Sequence, residues 1–304
     1  MTEPRILATG LRFPEGPVSM PDGSMLLVEI ARGTVSRVGA DGAVSVVASP
    51  GGGPNGLAVG PDGALYCCNN GGFAWIDDGK TLRPSFQPAD YSGGRIERID
   101  PASGEVSVLY HACNGRELRG PNDIVFDAEG GFYFTDLGKN RARERDHGGV
   151  YYARADGSAI SEIAFPVLTA NGIGLAPDGR TLYVAETETA RLWAFDIVAP
   201  GKIARRPLPS PHGGRLVIGL AGYQRFDSLA VAESGNICVA TLVTGAISVV
   251  SPGGELLRQV MMPDPATTNI CFGGPERRTA YVTLSGSGRL AVMEWDEPGL
   301  RLAF

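Results

Sequence analysis

The sequence lacks most of the signatures that identify common enzyme classes. It has three histidines and five cysteines in 304 residues, and no Cys-x-x-Cys pair, so a histidine or thiolate metal site is disfavoured. No G-x-S-x-G motif is present, which argues against a serine α/β-hydrolase. The glycine-rich run at 51–56 matches a dinucleotide-binding pattern only formally, because a proline lies inside it and a strand-like run follows. Any metal would have to be held by oxygen ligands.

Charge and hydrophobicity argue against two further classes. Lys and Arg number 27 against 33 Asp and Glu, so the formal net charge is -6 and the basic surface of a nucleic-acid-binding protein is missing. No apolar run approaches the ~18 residues of a membrane-spanning helix, and the first residues do not resemble a secretory leader. The five cysteines suit reduced thiols inside a core. We therefore expect a cytoplasmic protein that contacts neither nucleic acid nor membrane.

What the sequence has in excess is glycine and proline, with 43 and 22 residues. Short strands joined by tight turns explain this excess better than helices do, and no window shows a sustained helical period with caps. Six segments repeat one pattern, in which a polar residue is followed by a short apolar run, a turn and a second apolar run. The polar residues that begin the six segments are Glu15, Asn55, Asn122, Asn171, Asp227 and Asn269.

The turns of these segments favour strand hairpins. In five of the six, a glycine occupies the same position after the first polar residue, and only the last segment, with Arg277 there, departs. The spacing of the segments leaves room for about four strands per unit, as in a blade of a β-propeller. We predict an all-β, six-bladed β-propeller formed by a single domain over 1–304. The N-terminal strand around 5–11 is expected to pair with 289–295 and so to close the ring.

If the six segments are equivalent, their first residues lie where the strands that line the central channel begin. Two carboxylates and four amides pointing toward one axis need water, a cation or both. Such an oxygen set suits a hard divalent ion such as Ca²⁺, Mg²⁺ or Mn²⁺, with Zn²⁺ and Fe²⁺ as alternatives. Asn and Asp near turns are often turn residues alone, but turn preference does not explain a Glu in the set. We prefer the interpretation as functional site residues for four of them: Glu15, Asn122, Asn171 and Asp227. For Asn55 and Asn269, a role in the site and a role in the turn alone both stay open.

Five motifs at and around these positions are distinctive when taken together. They are Pro14-Glu15-Gly16-Pro17, Gly120-Pro121-Asn122-Asp123, Ala170-Asn171-Gly172, Phe226-Asp227 and Thr267-Thr268-Asn269-Ile270-Cys271-Phe272-Gly273-Gly274. With them the chain resembles, over nearly its whole length, the SMP-30/gluconolactonase family of six-bladed propellers, also called the regucalcin family. Diisopropylfluorophosphatase and the paraoxonases are more distant relatives.

This resemblance implies a site. The metal ligands of the family fall on Glu15, Asn171 and Asp227, with Asn122 as a further ligand or as the residue that orients the substrate. The metal-bound aspartate is often proposed as the general base, which is Asp227 here. Sugar-lactone members have an arginine two residues before the Asn-Asp pair, where this chain has Gly120. This difference argues against an aldonolactone substrate more than it argues against a metal site or against hydrolysis. Contacts with the substrate are assigned to Asn55, Arg119, Asp123 and Asn269.

The expected activity is metal-dependent hydrolysis of a small-molecule lactone or related cyclic ester. One divalent ion (Ca, Mn, Zn, Mg or Fe) would polarise the carbonyl and stabilise the oxyanion. Asp227 could activate the attacking water, but a neighbouring cation makes a carboxylate a weaker base, so hydroxide on the ion is the competing nucleophile. Two alternatives stay open: cleavage of another ester, a phosphoester or an ether at the same site, and a non-catalytic propeller with a structural cation.

Two long insertions, at about 71–94 and 137–149, follow the second strand of a hairpin. We expect them as loops at one face, where both could border a pocket. Asn69 and Asn70, just before the first insertion, are interpreted as turn residues. Four aromatic residues of that insertion could form an apolar wall for a ligand or cover the edges of blades: Phe73, Trp75, Phe86 and Tyr91.

Overall fold

The computed structural model describes residues 3–304, and the first two residues of the domain predicted over 1–304 lie outside this range. Strands are the regular secondary structure of the described residues, because β-branched and aromatic runs alternate with glycine-containing turns. Within 3–304 no helix is assigned, and hence none that is long and apolar enough to cross a membrane.

The strands form six antiparallel sheets, or blades, and two short separate hairpins. The first strand of the chain is β1 (Arg5–Ala8). Blade 1 consists of β2 (Pro14–Ser19), β3 (Met25–Glu29), β4 (Thr34–Val38) and β5 (Val44–Ala48). Blade 2 consists of β6 (Pro54–Val59), β7 (Leu65–Asn69), β10 (Arg95–Ile99) and β11 (Val106–Tyr110). The hairpin of β8 (Trp75–Asp77) and β9 (Leu82–Pro84) is inserted between β7 and β10.

The second half of the chain continues the same order, after a short hairpin of β12 (Ala112–Cys113) and β13 (Arg116–Glu117). Blade 3 consists of β14 (Pro121–Phe126), β15 (Gly131–Asp136), β16 (Gly148–Arg154) and β17 (Ile160–Val167). Blade 4 consists of β18 (Ala170–Leu175), β19 (Thr181–Glu186), β20 (Arg191–Ala199), β21 (Lys202–Ala204) and β22 (Arg215–Gly219). Blade 5 consists of β23 (Arg225–Val231), β24 (Ile237–Leu242), β25 (Ala246–Val250) and β26 (Leu256–Met261). Blade 6 consists of β27 (Thr267–Gly273), β28 (Thr279–Leu284), β29 (Arg289–Glu294) and β1.

The blades close into a ring. Their first strands contact one another in the cyclic order β2, β6, β14, β18, β23, β27 and back to β2. The outer edge of blade 6 is completed by β1, which pairs antiparallel with β29 and places Arg5 opposite Val292. The predicted six-bladed propeller is therefore confirmed, together with its closure by the N-terminal strand. Because β1 covers the edge of β29, the ring is fastened by hydrogen bonds between the two ends of the chain.

Apolar side chains fill the spaces between adjacent blades, in six separate clusters. Between blades 3 and 4, Tyr133, Trp193 and Phe195 pack together, and Tyr183 belongs to the cluster between blades 4 and 5. All five cysteines are free, and burial raises the pKa of every one of these thiols. Protonated buried thiols are poor nucleophiles, so the cysteines belong to the core.

The hairpin turn of each repeat adopts the same backbone conformation. Arg277, in the sixth repeat, has a φ of 54° and is held there by a hydrogen bond from its Nε to the carbonyl O of Gly299 at 2.9 Å. Glycine adopts this left-handed region without the steric penalty of a Cβ. The repeat in the sequence is therefore a repeat of backbone geometry. The five turn glycines have φ values between 66° and 91°: Gly23, Gly63, Gly130, Gly179 and Gly235.

Candidate functional site

The six polar residues that begin the repeats lie on the innermost strands, one on each blade. Beside each of them, the pairing of the inner strand with its neighbour is irregular. A bulge of this kind changes the direction in which a side chain points. The same local irregularity in all six blades therefore turns one polar side chain per blade toward the channel. We call these residues the ring: Glu15, Asn55, Asn122, Asn171, Asp227 and Asn269.

Close approach of the inner strands explains why glycine follows three of the ring residues. A Cβ on Gly16 would lie 2.5 Å from the carbonyl O of Asn55, and one on Gly172 would lie 2.6 Å from the carbonyl O of Asp227. A Cβ on Gly56 would lie 2.5 Å from the carbonyl O of Asn122 on the next inner strand. Real Cβ atoms do not tolerate such distances to backbone, so glycine allows the ring residues of adjacent blades to come together.

Glu15 and Asn269 join the first blade to the last. Oε2 of Glu15 accepts a hydrogen bond from Nδ2 of Asn269 at 2.8 Å and another from the N–H of Gly16 at 2.9 Å. Burial nevertheless raises the pKa of Glu15, because removal from water penalises the charged carboxylate more than these bonds favour it. Among residues 3–304, no Lys, Arg or His forms an ion pair with Glu15 or with Asp227.

Two further carboxyl groups lie in the electrostatic field of Glu15. Burial raises the pKa of Asp227 well above its ordinary value, the charge of Glu15 raises it further, and a hydrogen bond with Asn171 opposes them. Burial and the same charge raise the pKa of Asp123 to about 7. Asp123 is buried, whereas Asp227 keeps partial contact with solvent. A cation among these groups would stabilise their charged forms.

Two amide oxygens of the ring have no hydrogen-bond partner among the described residues. Oδ1 of Asn122 and Oδ1 of Asn171 are buried and unpaired, while Nδ2 of Asn171 donates to Oγ1 of Thr187 at 3.0 Å. An unpaired buried acceptor is costly. With the carboxylates of Glu15 and Asp227, these oxygens form a donor set that fits a hard divalent cation. The described residues contain no metal-binding group of three or more His, Cys, Asp and Glu, and amides supply the remainder of this donor set.

A chain of amides leads from the ring into the first insertion. Nδ2 of Asn55 donates to the carbonyl O of Asn122 at 3.0 Å, and Oδ1 of Asn55 accepts from Nδ2 of Asn70 at 3.3 Å. The interpretation of Asn70 as a turn residue is incomplete. Its Oδ1 does accept the N–H of Gly72, as in a turn, but it also accepts a hydrogen bond from Nζ of Lys139 at 3.2 Å. No sequence signal marks Lys139, because a lysine in an arginine-rich loop is typical of a solvated surface.

Arg119 lies apart from the ring. Its exposed guanidinium pairs with Glu117 at 3.2 Å. Its backbone N–H donates to Oδ2 of Asp136 at 2.7 Å, and its carbonyl O accepts from the hydroxyl of Tyr91 at 2.6 Å. The structure thus brings together all the predicted site residues except Arg119, whose contact with a substrate stays a prediction.

Both predicted insertions lie at the ring end of the channel. Asn69 pairs with Pro54 and Asp136 pairs with Pro121, so each second strand ends beside the start of an inner strand. The first insertion carries the hairpin of β8 and β9, rather than being only a loop. The two insertions contact each other through the N–H of Gln87, which donates to the carbonyl O of Asn140 at 2.8 Å. The aromatic residues at 73 and 75 pack on the cluster between blades 1 and 2, as cover for blade edges.

The fold and the ring define a class: six-bladed propellers with an oxygen-lined polar site at one end of the channel. The family described as SMP-30/Gluconolactonase/LRE-like region matches residues 13–286, and the chain belongs to this family.

Similar proteins come from several bacteria. The chain is 26% identical over 305 residues to a gluconolactonase from Zymomonas mobilis, which covers 92% of this chain and 78% of that protein. It is 27% identical over 243 residues to lactonase drp35 from Staphylococcus saprophyticus, covering 79% of this chain and 67% of that protein. A solved gluconolactonase structure from Xanthomonas campestris has a TM-score of 0.74 at 22% identity, covering 95% of this chain and 88% of the other, which shows the shared fold.

Proposed function

We propose that the protein hydrolyses a lactone with the help of one divalent cation held by Glu15, Asn171 and Asp227, with Asn122 as a further ligand or as the residue that orients the substrate. The observation that carries the proposal is the donor set of the ring. Two carboxyl groups have no cationic partner, and two buried amide oxygens have no partner at all among the described residues. The names of the gluconolactonase and lactonase relatives support a lactone as the substrate.

A divalent cation in this donor set would polarise the carbonyl of a lactone and favour the negative charge that develops on its oxygen. The side chains of the ring would accept the proton and orient the ligands of the cation. Asp227 is assigned to accept the proton of the attacking water, because among Glu15, Asp123 and Asp227 it is the residue that retains some exposure to solvent. Asn269 orients Glu15, and Asn55 supports the strand segment that carries Asn122.

Hydrolysis followed in a pH-stat tests this proposal directly. The substrates are sugar, aliphatic and aromatic lactones, because Gly120 stands where sugar-lactone relatives have an arginine. Chelated protein is compared with protein given back Ca²⁺, Mn²⁺, Mg²⁺, Zn²⁺ or Fe²⁺. We expect turnover that returns with the cation and falls at least ~100-fold in Asp227→Ala, whereas Asp156→Ala, in an exposed turn, keeps wild-type turnover.

Three results would count against the proposal in different ways. Turnover that survives complete chelation would remove the role of the cation. A cation that binds while every lactone stays intact would remove the lactone, and esters, phosphoesters and ethers would then be tested on the same site. A cation that raises the melting temperature without any turnover on those compounds would favour a structural ion.

A further inference from the structure

Lys139 is a buried lysine whose ammonium group forms no ion pair in the part of the chain that the structure describes. It lies in the second insertion and is 1% exposed, whereas the other two lysines of the chain, Lys80 and Lys202, are exposed. No carboxylate among residues 3–304 forms an ion pair with it. Removing an ammonium group from water is unfavourable unless it is paired.

The surroundings of Lys139 come from both insertions. Its Nζ donates to the carbonyl O of Gly72 at 2.7 Å and lies over two rings, 4.1 Å from the centroid of Phe73 and 5.3 Å from that of Tyr91. Asp136 and Asp146 act on it at longer range, and Asp136 instead accepts backbone N–H groups. Burial lowers the pKa of Lys139 to about 7. The ammonium is thus held by neutral acceptors and aromatic faces.

The position of Nζ determines how the amide chain is oriented. An ammonium only donates, so it fixes Asn70 with Oδ1 toward Lys139. Nδ2 of Asn70 then faces Oδ1 of Asn55, which leaves Nδ2 of Asn55 to donate to the carbonyl O of Asn122. The N–H of Gly72 supports the same orientation, and Gly72 is itself held by Lys139. Each link fixes which end of the next amide faces the ring.

We infer that Lys139 is a positioning residue for the substrate side of the ring: it orients the amides of Asn70 and Asn55, and through them the segment that carries Asn122. The inference rests on the proposed function, and of the two roles given there to Asn122 it takes the one in which Asn122 orients the substrate. Lys139 does not touch the proposed metal ligands Glu15, Asn171 and Asp227. Its loss is therefore expected to weaken the binding of substrate and to leave the binding of the cation unchanged.

Lys139→Met, which keeps an unbranched apolar stem of four heavy atoms and removes the Nζ donor, is the first test. We expect the KM of the best lactone to rise at least ~10-fold, while kcat and the Kd of the cation stay within about threefold. The melting temperature should be equal or higher, because a buried charge without a partner has been removed. Lys80→Met is the matched control and should behave as wild type. A lower melting temperature with kcat and KM changed together would show a merely structural lysine, and an unchanged KM would also overturn the inference.

Asn70→Asp tests the next link. The aspartate keeps the shape of the side chain and its acceptor for Lys139, but it loses the Nδ2 donor to Asn55. We expect the same rise in KM as in Lys139→Met, and no further rise in the double variant, because both changes break one chain. Effects that multiply in the double variant would contradict the chain. If Lys139→Met does not fold, Asn70→Asp alone decides: an unchanged KM overturns the inference.

Side-chain amide signals in NMR separate this inference from the proposed function. The signals of Asn55 and Asn70, assigned by substitution, need no substrate and no turnover. In Lys139→Met we expect both to shift or double, and in Lys80→Met neither. If the wild type hydrolyses no lactone, the proposed function fails while these signals still test the orientation of the amides. Unchanged signals in Lys139→Met would show that Lys139 does not orient them.

Discussion

Nδ2 of Asn269 donates to Oε2 of Glu15 at 2.8 Å, although the two residues are 254 positions apart in the chain. The bond joins β27 of blade 6 to β2 of blade 1, so a residue of the last repeat orients a carboxylate of the first. Glu15 is a proposed metal ligand. Binding of the cation and closure of the propeller between blades 6 and 1 are therefore expected to stabilise each other.

Asn269→Ala is expected to weaken the binding of the cation by roughly 10- to 100-fold, because the carboxylate of Glu15 loses the donor that holds its Oε2. Titration calorimetry of chelated protein with Ca²⁺ or Mn²⁺ measures the change. Asn236→Ala is the control, since Asn236 bonds to Glu297 away from the ring. An unchanged affinity in Asn269→Ala would contradict the role given to this bond.

Gly172→Ala is expected to disrupt the site through the backbone. The new Cβ would lie 2.6 Å from the carbonyl O of Asp227 and 2.7 Å from Cα of Ser228, so β23 must move and carry Asp227 with it. We expect a loss of about 1–3 kcal/mol in the free energy of unfolding and at least ~10-fold weaker cation binding. Urea unfolding and titration calorimetry measure the two effects.

The control for this substitution is Gly179→Ala, in the hairpin turn of the same blade. Nothing lies within 4 Å of a Cβ there, and its φ of +66° is the source of strain. This variant should lose about 1–2 kcal/mol of stability and keep its affinity for the cation. Equal losses of affinity in both variants would show that close approach at Gly172 does not position Asp227.

Because Lys139 is buried, we expect the free energy of unfolding to rise with pH. Burial lowers its pKa in the folded protein to about 7, from an ordinary lysine value of 10.5. Between these two values the unfolded chain binds more protons than the folded one, so stability increases as pH rises above about 7 and is lowest below it. Over the two pH units above 7, the increase is at most about 2 kcal/mol.

Urea unfolding of the wild type and of Lys139→Met across this range isolates the effect. Asp136, Asp146 and Tyr91, which surround Lys139, are present in both proteins, so the difference in stability reports Lys139. The wild type should gain stability relative to the variant as the pH rises. A difference that is constant with pH would mean that Lys139 remains charged throughout.

The sequence analysis was strongest where structure is local. The turn glycines and the polar residues that begin the repeats follow from neighbouring residues, so the number of blades and the members of the ring could be predicted. Even Arg277, which breaks the pattern, adopts the turn conformation. The hydrogen bonds that lead from Lys139 through Asn70 could not be predicted. They depend on two insertions that lie outside the repeat and meet only in the folded propeller. The exposure of Arg119 could not be predicted for a similar reason, since its backbone is held by Asp136, 17 positions later in the chain.

Deleting residues 1–11 is expected to open the propeller between blades 1 and 6. The deletion removes β1 from the edge of β29, the hydrogen bond from the N–H of Leu11 to the carbonyl O of Gly288 at 3.0 Å, and two side chains buried between blades 1 and 6, those of Ala8 and Leu11. Burial of a leucine alone contributes about 2 kcal/mol, so we expect a loss of at least ~3 kcal/mol. The uncovered edge of β29 should also promote association between chains.

Thermal unfolding with and without the cation, together with size-exclusion chromatography, tests this prediction. Because Asn269 and Glu15 meet across the seam between blades 6 and 1, the shortened protein should also bind the cation less tightly, and its melting temperature should respond less to the cation than that of the wild type. Deletion of the exposed residues 301–304 is the control at the other end of the chain. It removes the contact of Phe304 with Phe126 in blade 3, away from the seam, and should change neither the affinity for the cation nor the response of the melting temperature to it. A shortened protein that melts, elutes and binds the cation like the wild type would show that blade 6 holds the ring closed without its N-terminal strand.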